Sequence, residues 1–273
     1  MHPAFDTVAR DYDNSFTGTA VGRLLRERVW ALLSISANLS SGTTSGRAIT
    51  TVWELNCGTG EDAIWMAQQG WQVLATDISP EMAEAARQKT AAAGLENKVE
   101  VRVCSFAEIS RYPDRQFDLV FSDFGGLNCA SPEELKKLSV DLQKLIAPGG
   151  HFIAVVMSRF CWQETLYFLL KGKPREAFRR LNRKPVNARL DEKTTVPTWY
   201  YSPREFRRFF PEFRMKRILP VGFWLPPSYL NPFFEKRPRL LRFLNFLEKN
   251  YSPARLAPAA DHFLIDLEKL PNS

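Results

Sequence analysis

The stretch ELNCGTGED, Glu54–Asp62, decides how this chain is read. It follows a run of β-formers, TTVWELN, and leads into EDAIWMAQQG, a helix-period segment that stops at Gly70. A strand, a glycine-bearing turn and a helix start, in that order, let the backbone approach a ligand closely and aim the unpaired N–H groups of the first helical turn at it. Asn56 stands where such turns usually carry their first glycine. Asparagine tolerates positive φ best among non-glycine residues, so it can keep the loop's shape; with ordinary φ its side chain would be offered to the ligand instead.

The next strand, WQVLATD, ends in Asp77. A carboxylate at the tip of the strand beside the loop can accept both ribose hydroxyls of a nucleoside, so loop and acid together mark a nucleoside-containing cofactor. Gly58, Gly60 and Ala63 also satisfy the dinucleotide pattern G-x-G-x-x-G/A, which keeps an NAD(P)-dependent oxidoreductase open. Three features weigh against it: Glu54 inside the strand, a separate PGG turn at Pro148–Gly150, and the late pair FRMKRILPVG and DHFLIDLEK, which suggests a closing antiparallel hairpin.

Working outward, TTVWELN, WQVLATD, VEVRVC, FDLVFSD and HFIAVVM read as strands separated by helical segments, the form of βαβ units. Ser79 and Ser131, each followed by proline and glutamates, are helix start signals. The expected fold is α/β: a Rossmann-like, seven-stranded, mostly parallel sheet of order 3-2-1-4-5-7-6, strand 7 antiparallel, helices on both faces, and a C-terminal helical, aromatic cap insertion. One domain over 1–273 is expected, divided into an N-terminal helical lid (1–48), a cofactor-binding core (49–157) and substrate-cap insertions (158–203 and 223–260).

The 273 residues carry a net charge of +7 with 45% hydrophobic and 25% charged residues, the balance of a globular protein. The charge is uneven: Arg159–Arg255 holds about 22 Lys/Arg against about 8 Asp/Glu, of 37 and 30 in the whole chain. No basic-then-apolar leader opens the sequence and no apolar run reaches bilayer length, so a cytoplasmic location is expected. The four cysteines form no C-x-x-C pair, and no metal site is expected.

At these residues the chain resembles the class I S-adenosylmethionine-dependent methyltransferases, particularly their small-molecule, ubiquinone/menaquinone-biosynthesis branch. ELNCGTG is similar to the family's first motif, ATDIS to its acidic second, FDLVFSDFGGLN to its fourth and LIAPGGHF to its fifth; Ala9, Tyr12, Asp13 and Phe16 match an early AxxYDxxF segment. The resemblance implies S-adenosylmethionine as cofactor, S-adenosylhomocysteine as product, and the following roles. Asp77 would hold the ribose, Ile78 and Phe106 would flank the adenine, and Ser105, where the family often has aspartate, would be a weaker polar partner for its edge. The backbone around Asn56, Gly58 and Gly60 would line the methionine moiety, with Ser122, Asp123 and Phe124 closing the pocket beneath the sulfonium and Tyr12 acting as a lid. Glu54, Cys57, Thr59 and Met82 complete this cofactor set, and Arg26 or Arg28 would pair the methionine carboxylate.

Methyl transfer is an in-line displacement that needs alignment and exclusion of water more than a protein nucleophile. Asn128 is a candidate for orienting the acceptor, and Glu164 for acting as base or as salt-bridge partner. Arg159 is placed to bind an anionic acceptor and Trp162 to stack on it. His2, His151 and His262 are assigned no catalytic role. The acceptor is expected to be a small molecule, anionic or amphiphilic. Aromatic and basic residues alternate in the second insertion, which suits a lipid-like acceptor or membrane contact, a cap over the site, or a dimer contact. Nucleic acid is not the expected partner, since DFGGLNC lacks an N/D-P-P-Y motif. Methylation of RNA or protein stays as the alternative because of the basic C-terminal half, as does a non-catalytic cofactor-binding protein.

Overall fold

The computed structural model describes residues 4–7, 9, 12–41, 48–112, 115–189 and 194–270; His2 lies outside them. Its strands are β1 (Thr51–Leu55), β2 (Gln72–Asp77), β3 (Val99–Val103), β4 (Phe117–Ser122), β5 (Ile146–Met157), β6 (Val186–Arg189), β7 (Thr195–Thr198), β8 (Phe213–Val221) and β9 (His262–Lys269). Seven of them form one sheet in the order β3-β2-β1-β4-β5-β9-β8. The first five run parallel, and β9 lies antiparallel between β5 and β8, which is the expected architecture. The unexpected element is a small separate hairpin, β6–β7, within the first insertion. The PGG turn also differs from expectation: it is absorbed into β5 as an irregularity against β4.

The helices are α1 (Ala20–Ser41), α2 (Glu61–Gln68), α3 (Pro80–Ala92), α4 (Pro132–Leu145), α5 (Trp162–Leu170), α6 (Pro174–Ala177), α7 (Pro203–Arg207), α8 (Asn231–Glu235) and α9 (Pro238–Asn250). Start signals work as their chemistry dictates. Ser79 Oγ accepts the Met82 N–H, and Ser131 with Glu134 closes a full capping box at α4. Two cores sandwich the sheet. On one face α4 contributes Leu135, Leu138, Leu142 and Leu145, packed with Phe206, Phe210 and Phe213. On the other, α1 presents Val21, Leu25, Val29, Leu32 and Leu33 at helical spacing, beside Ala63, Met66 and Ala67 of α2. This layering leaves the carboxyl ends of β1, β2, β4 and β5 open along one edge, where ligands bind in such sheets.

Candidate functional site

A cavity of about 680 Å³ opens along that edge. Its first lobe is built by the loop between β1 and α2. Asn56, which lines the cavity, has φ of 53°, so the positive-φ reading holds. Its amide joins two loops: Nδ2 donates to Asp123 O at 2.8 Å, and Oδ1 accepts from Ser122 Oγ at 2.6 Å. Gly126 is fitted to this bridge, because a Cβ there would sit 2.2 Å from Asn56 Cγ. Gly60 serves packing rather than the cavity: with φ of 85° it caps α2, and a Cβ would meet Ala86 Cβ at 2.9 Å.

Asp77 is almost wholly buried, and both its oxygens are oriented by backbone. Oδ2 accepts the Gly58 N–H and Oδ1 the Ser79 N–H, each at 2.9 Å. Burial pushes this carboxyl up despite those donors. Beyond it the wall is apolar, with Ile78 half-exposed, Met82 and Phe106; Ser105 lines the same lobe while its hydroxyl donates to Glu108 at 2.9 Å. Cys57 and Thr59 also line the cavity. Thr59 Oγ1 donates to Asp13 Oδ1 at 2.6 Å, and Lys89 bridges Asp13 and Glu61 at 2.5 and 2.6 Å, which pins the Tyr12–Phe16 segment over the loop. Tyr12 lines the cavity and burial raises its phenol to about 12.

Behind the loop lies a knot of buried charge. Arg26 reaches the cavity and pairs with Asp62, which also accepts from Trp30 Nε1 at 2.7 Å; the guanidinium stands 5.5 Å from the Phe124 ring centre. Arg28 points elsewhere, toward Glu248 at 3.9 Å, so of the two candidate arginines only Arg26 is at the site. Glu54 and Ser122 are buried and do not line the cavity. Burial and the Asp62 charge hold Glu54 and Asp123 well above the usual carboxylate range. Asp123 lines the cavity with Oδ1 accepting the Phe124 N–H at 2.8 Å, while its Oδ2 has no hydrogen-bond partner.

The second lobe lies past Phe124, Gly125 and Met157 and is lined by Arg179, Arg180, Thr198, Tyr200, Tyr229 and His262. Here several expectations are corrected. Asn128 does not border the cavity: its amide is consumed by backbone, donating to Trp199 O at 2.6 Å and accepting from Met157 N at 2.8 Å. Arg159 turns to Glu205 at 2.9 Å, and Trp162 donates to Phe223 O at 2.8 Å and packs on Phe223 and Trp224; neither borders the cavity. Glu164 does, but as a counter-ion: Arg180 holds both its oxygens at 3.0 and 2.7 Å, and Arg179 adds a third bond at 3.1 Å.

Sequence reasoning missed Arg179, Arg180, Tyr200, Asp261 and His262. Arg180 Nη2 also donates to Asp261 Oδ1 at 2.7 Å, and the guanidinium lies over Tyr200 at 5.0 Å. Burial opposes ionisation of Asp261, yet the charges of His262 and Arg180 outweigh it and hold the carboxyl below its usual range. His262 sets its ring edge-on to Phe124 at 5.3 Å, at the junction of the lobes. Of the second insertion, only Pro227–Tyr229 reaches the cavity; α8 and α9 lie outside it.

A family model described as "Methyltransferase domain" matches residues 52–150, the segment that builds the first lobe. That segment is a class I S-adenosylmethionine-dependent methyltransferase domain. The chain is 26% identical to the tRNA 5-carboxymethoxyuridine methyltransferase of Escherichia coli (strain K12) over 54% of this chain and 53% of that protein. It is 32% identical to the demethylmenaquinone methyltransferase of Thermus thermophilus over 40% and 48%. It thus spans about half the length of the curated relatives it matches. A solved S-adenosylmethionine-dependent methyltransferase from Clostridium acetobutylicum shares the fold over 98% of this chain and 100% of its own, with a TM-score of 0.58 and 13% identity. The first lobe fits the family's cofactor: the preset Asp77 carboxylate would accept ribose hydroxyls, the apolar walls would flank an adenine, and the Asp123 oxygen without a hydrogen-bond partner would suit a cationic methionine moiety. Among the described residues, no helix is long and apolar enough to cross a membrane.

Proposed function

We propose that the protein transfers a methyl group from S-adenosylmethionine to a small, anionic, amphiphilic acceptor held in the second lobe. The observation that carries this reading is the continuity of one cavity, from the Asp77 wall to a lobe of arginines and tyrosines. Clefts of this size that combine apolar walls with a few convergent polar groups are typical of small-molecule sites. When bound, S-adenosylmethionine supplies a methyl on a sulfonium that departs as a neutral thioether, so an anionic acceptor needs no base. That agrees with Glu164 being wholly engaged by arginines.

The chain's own residues do the rest. Asp77 orients the ribose, Asp123 answers the positive methionine end, and Tyr12, Phe16 and Phe124 keep water from the line of transfer. Arg179, a third exposed, is the charge an acceptor meets, while Arg180 beneath it is fixed by Glu164 and Asp261. The test is incubation of metabolite extract with methyl-labelled cofactor, followed by identification of the labelled product. Labelled products whose unmethylated precursors are all neutral or cationic would overturn the anionic acceptor, and no label in any fraction would remove the activity.

A second reading, transfer to an anionic group carried on RNA, is favoured by the tRNA-modifying relative and by the basic C-terminal half. Steeply salt-sensitive retention of RNA by the protein supports it, and absence of retention at low salt removes it.

A further inference from the structure

The outer surface of α8 and α9 combines exposed aromatic rings with basic side chains. Leu241 and Glu248 fasten α9 to the body: Leu241 is buried, and the Glu248 carboxylate accepts the N–H groups of Gly222 and Trp224 at 3.0 and 2.7 Å. At roughly 100° per residue, Phe243 and Phe246 fall about 200° and 140° round from Leu241, on the opposite side. They are 55% and 53% exposed, Phe233 of α8 is 49% exposed and Tyr251 after α9 is 58% exposed. Single exposed apolar residues need no explanation, but three aromatic rings on this pair of helices and a fourth just after them form a patch.

Charge tells what covers it. Between Asn231 and Arg255 the exposed charges are Lys236, Arg237, Arg239, Arg242, Lys249 and Arg255, against Glu235 alone, since Glu248 is buried. Arg239 shares the outward face with the two phenylalanines, and Arg237 lies over the Phe233 ring at 3.8 Å. Rings directed outward among cations are the pattern of a helix lying in the headgroup layer of an anionic bilayer, with its rings at the acyl boundary.

We propose that α8 and α9 dock the protein on anionic lipid membranes through Phe233, Phe243, Phe246 and their interleaved arginines. The face leads to the cavity, because α8 starts just after Tyr229, which lies on the cavity wall and stacks on Phe168 of α5. Docking itself does not depend on the proposed reaction. It would place the acceptor lobe's rim beside the bilayer, a direct route for an amphiphile.

The test is co-sedimentation of the full chain with vesicles of phosphatidylcholine alone and of phosphatidylcholine mixed with phosphatidylglycerol. The wild type is expected on the mixed vesicles, less so in high salt. Phe243→Ser/Phe246→Ser is expected to weaken binding roughly tenfold, and Arg239→Glu/Arg242→Glu to abolish the preference for phosphatidylglycerol. Unchanged melting temperatures show that both variants fold, as the exposure of these side chains leads us to expect. The proposal is overturned if the wild type stays in the supernatant with mixed vesicles, or if neither pair changes binding. It is equally overturned if the phenylalanine pair instead breaks a solution dimer or abolishes RNA retention without any vesicle binding by the wild type.

Discussion

Restoring glycine at position 56 should harm this protein. Asn56→Gly removes the strain of a side chain at φ of 53°. It also gives the unfolded chain more freedom to lose, about 0.5–1 kcal/mol, so the two backbone effects roughly cancel. What remains is the loss of two partly buried hydrogen bonds, to Asp123 O at 2.8 Å and from Ser122 Oγ at 2.6 Å. At about 0.5–1.5 kcal/mol each they amount to about 1–3 kcal/mol. With roughly 2–4 °C per kcal/mol for a domain of this order of size, the melting temperature falls by several degrees. The bridge also sets the space at Gly126, whose three nearest neighbours for an added Cβ are all Asn56 side-chain atoms, at 2.2–2.5 Å. Gly126→Ala alone should therefore cost about 1–3 kcal/mol by overpacking. In the Asn56→Gly background the same change meets an emptied site, so the double variant is less destabilised than the sum, by about 1 kcal/mol or more. Urea denaturation of all four proteins completes the cycle. A melting temperature that rises in Asn56→Gly, or a Gly126→Ala penalty identical in both backgrounds, would refute the reasoning.

Asp77→Ala should weaken S-adenosylhomocysteine binding by roughly tenfold or more, because charge-assisted hydrogen bonds to the ribose contribute about 1.5–3 kcal/mol each; calorimetric affinity within threefold of wild type means the acid was misassigned. Asp123, held above the usual carboxylate range, binds a proton where ordinary carboxyls have lost theirs. Stability from that shift is complete below the unfolded value, about 4, and is lost as pH rises through the folded one. A cationic ligand reverses the preference, so cofactor binding should release protons in mildly acidic solution and strengthen with pH, seen by titration calorimetry in two buffers and absent in Asp123→Asn. Arg180→Met, which strands Glu164 and Asp261 in the interior, should cost about 3–5 kcal/mol in chemical denaturation, whereas Arg179→Ala should leave the fold nearly intact and raise the acceptor KM. Burial lifts the thiols of Cys104 and Cys129 to about 11 and of Cys161 to about 12, and that of Cys57 well above its ordinary range, so all four should react slowly with a disulfide reagent at neutral pH until the protein unfolds.

The first lobe was legible because its parts are local. Asp77 ends a strand one hydrogen-bonded neighbour from the loop, and the parallel βαβ order brings the two together without further information. The second lobe depends on chain order in three dimensions. Arg180 meets Asp261 across 81 residues, and nothing in either segment names the other. Trp162 and Glu164 were both assigned to the site, yet in a helix two residues are separated by about 200°, so only one can face the cavity, and Glu164 does. Asn128 misled for a different reason: a polar residue at the open edge of the sheet looks like a ligand group, but here three backbone groups on two segments, at Met157 and Trp199, take up its amide. His262 is the instructive omission, because its signal was present. It stands at a strand start and was assigned no catalytic role, although only the start of a parallel strand would lie at the amino edge, away from ligands. The final strand, however, was expected to run antiparallel, and it does, pairing His262 with Met157 at the carboxyl end of β5. Strand direction alone therefore carries Asp261 and His262 to the edge where the cavity opens, and a sequence that predicts the reversed strand also predicts which of its ends to search for functional side chains.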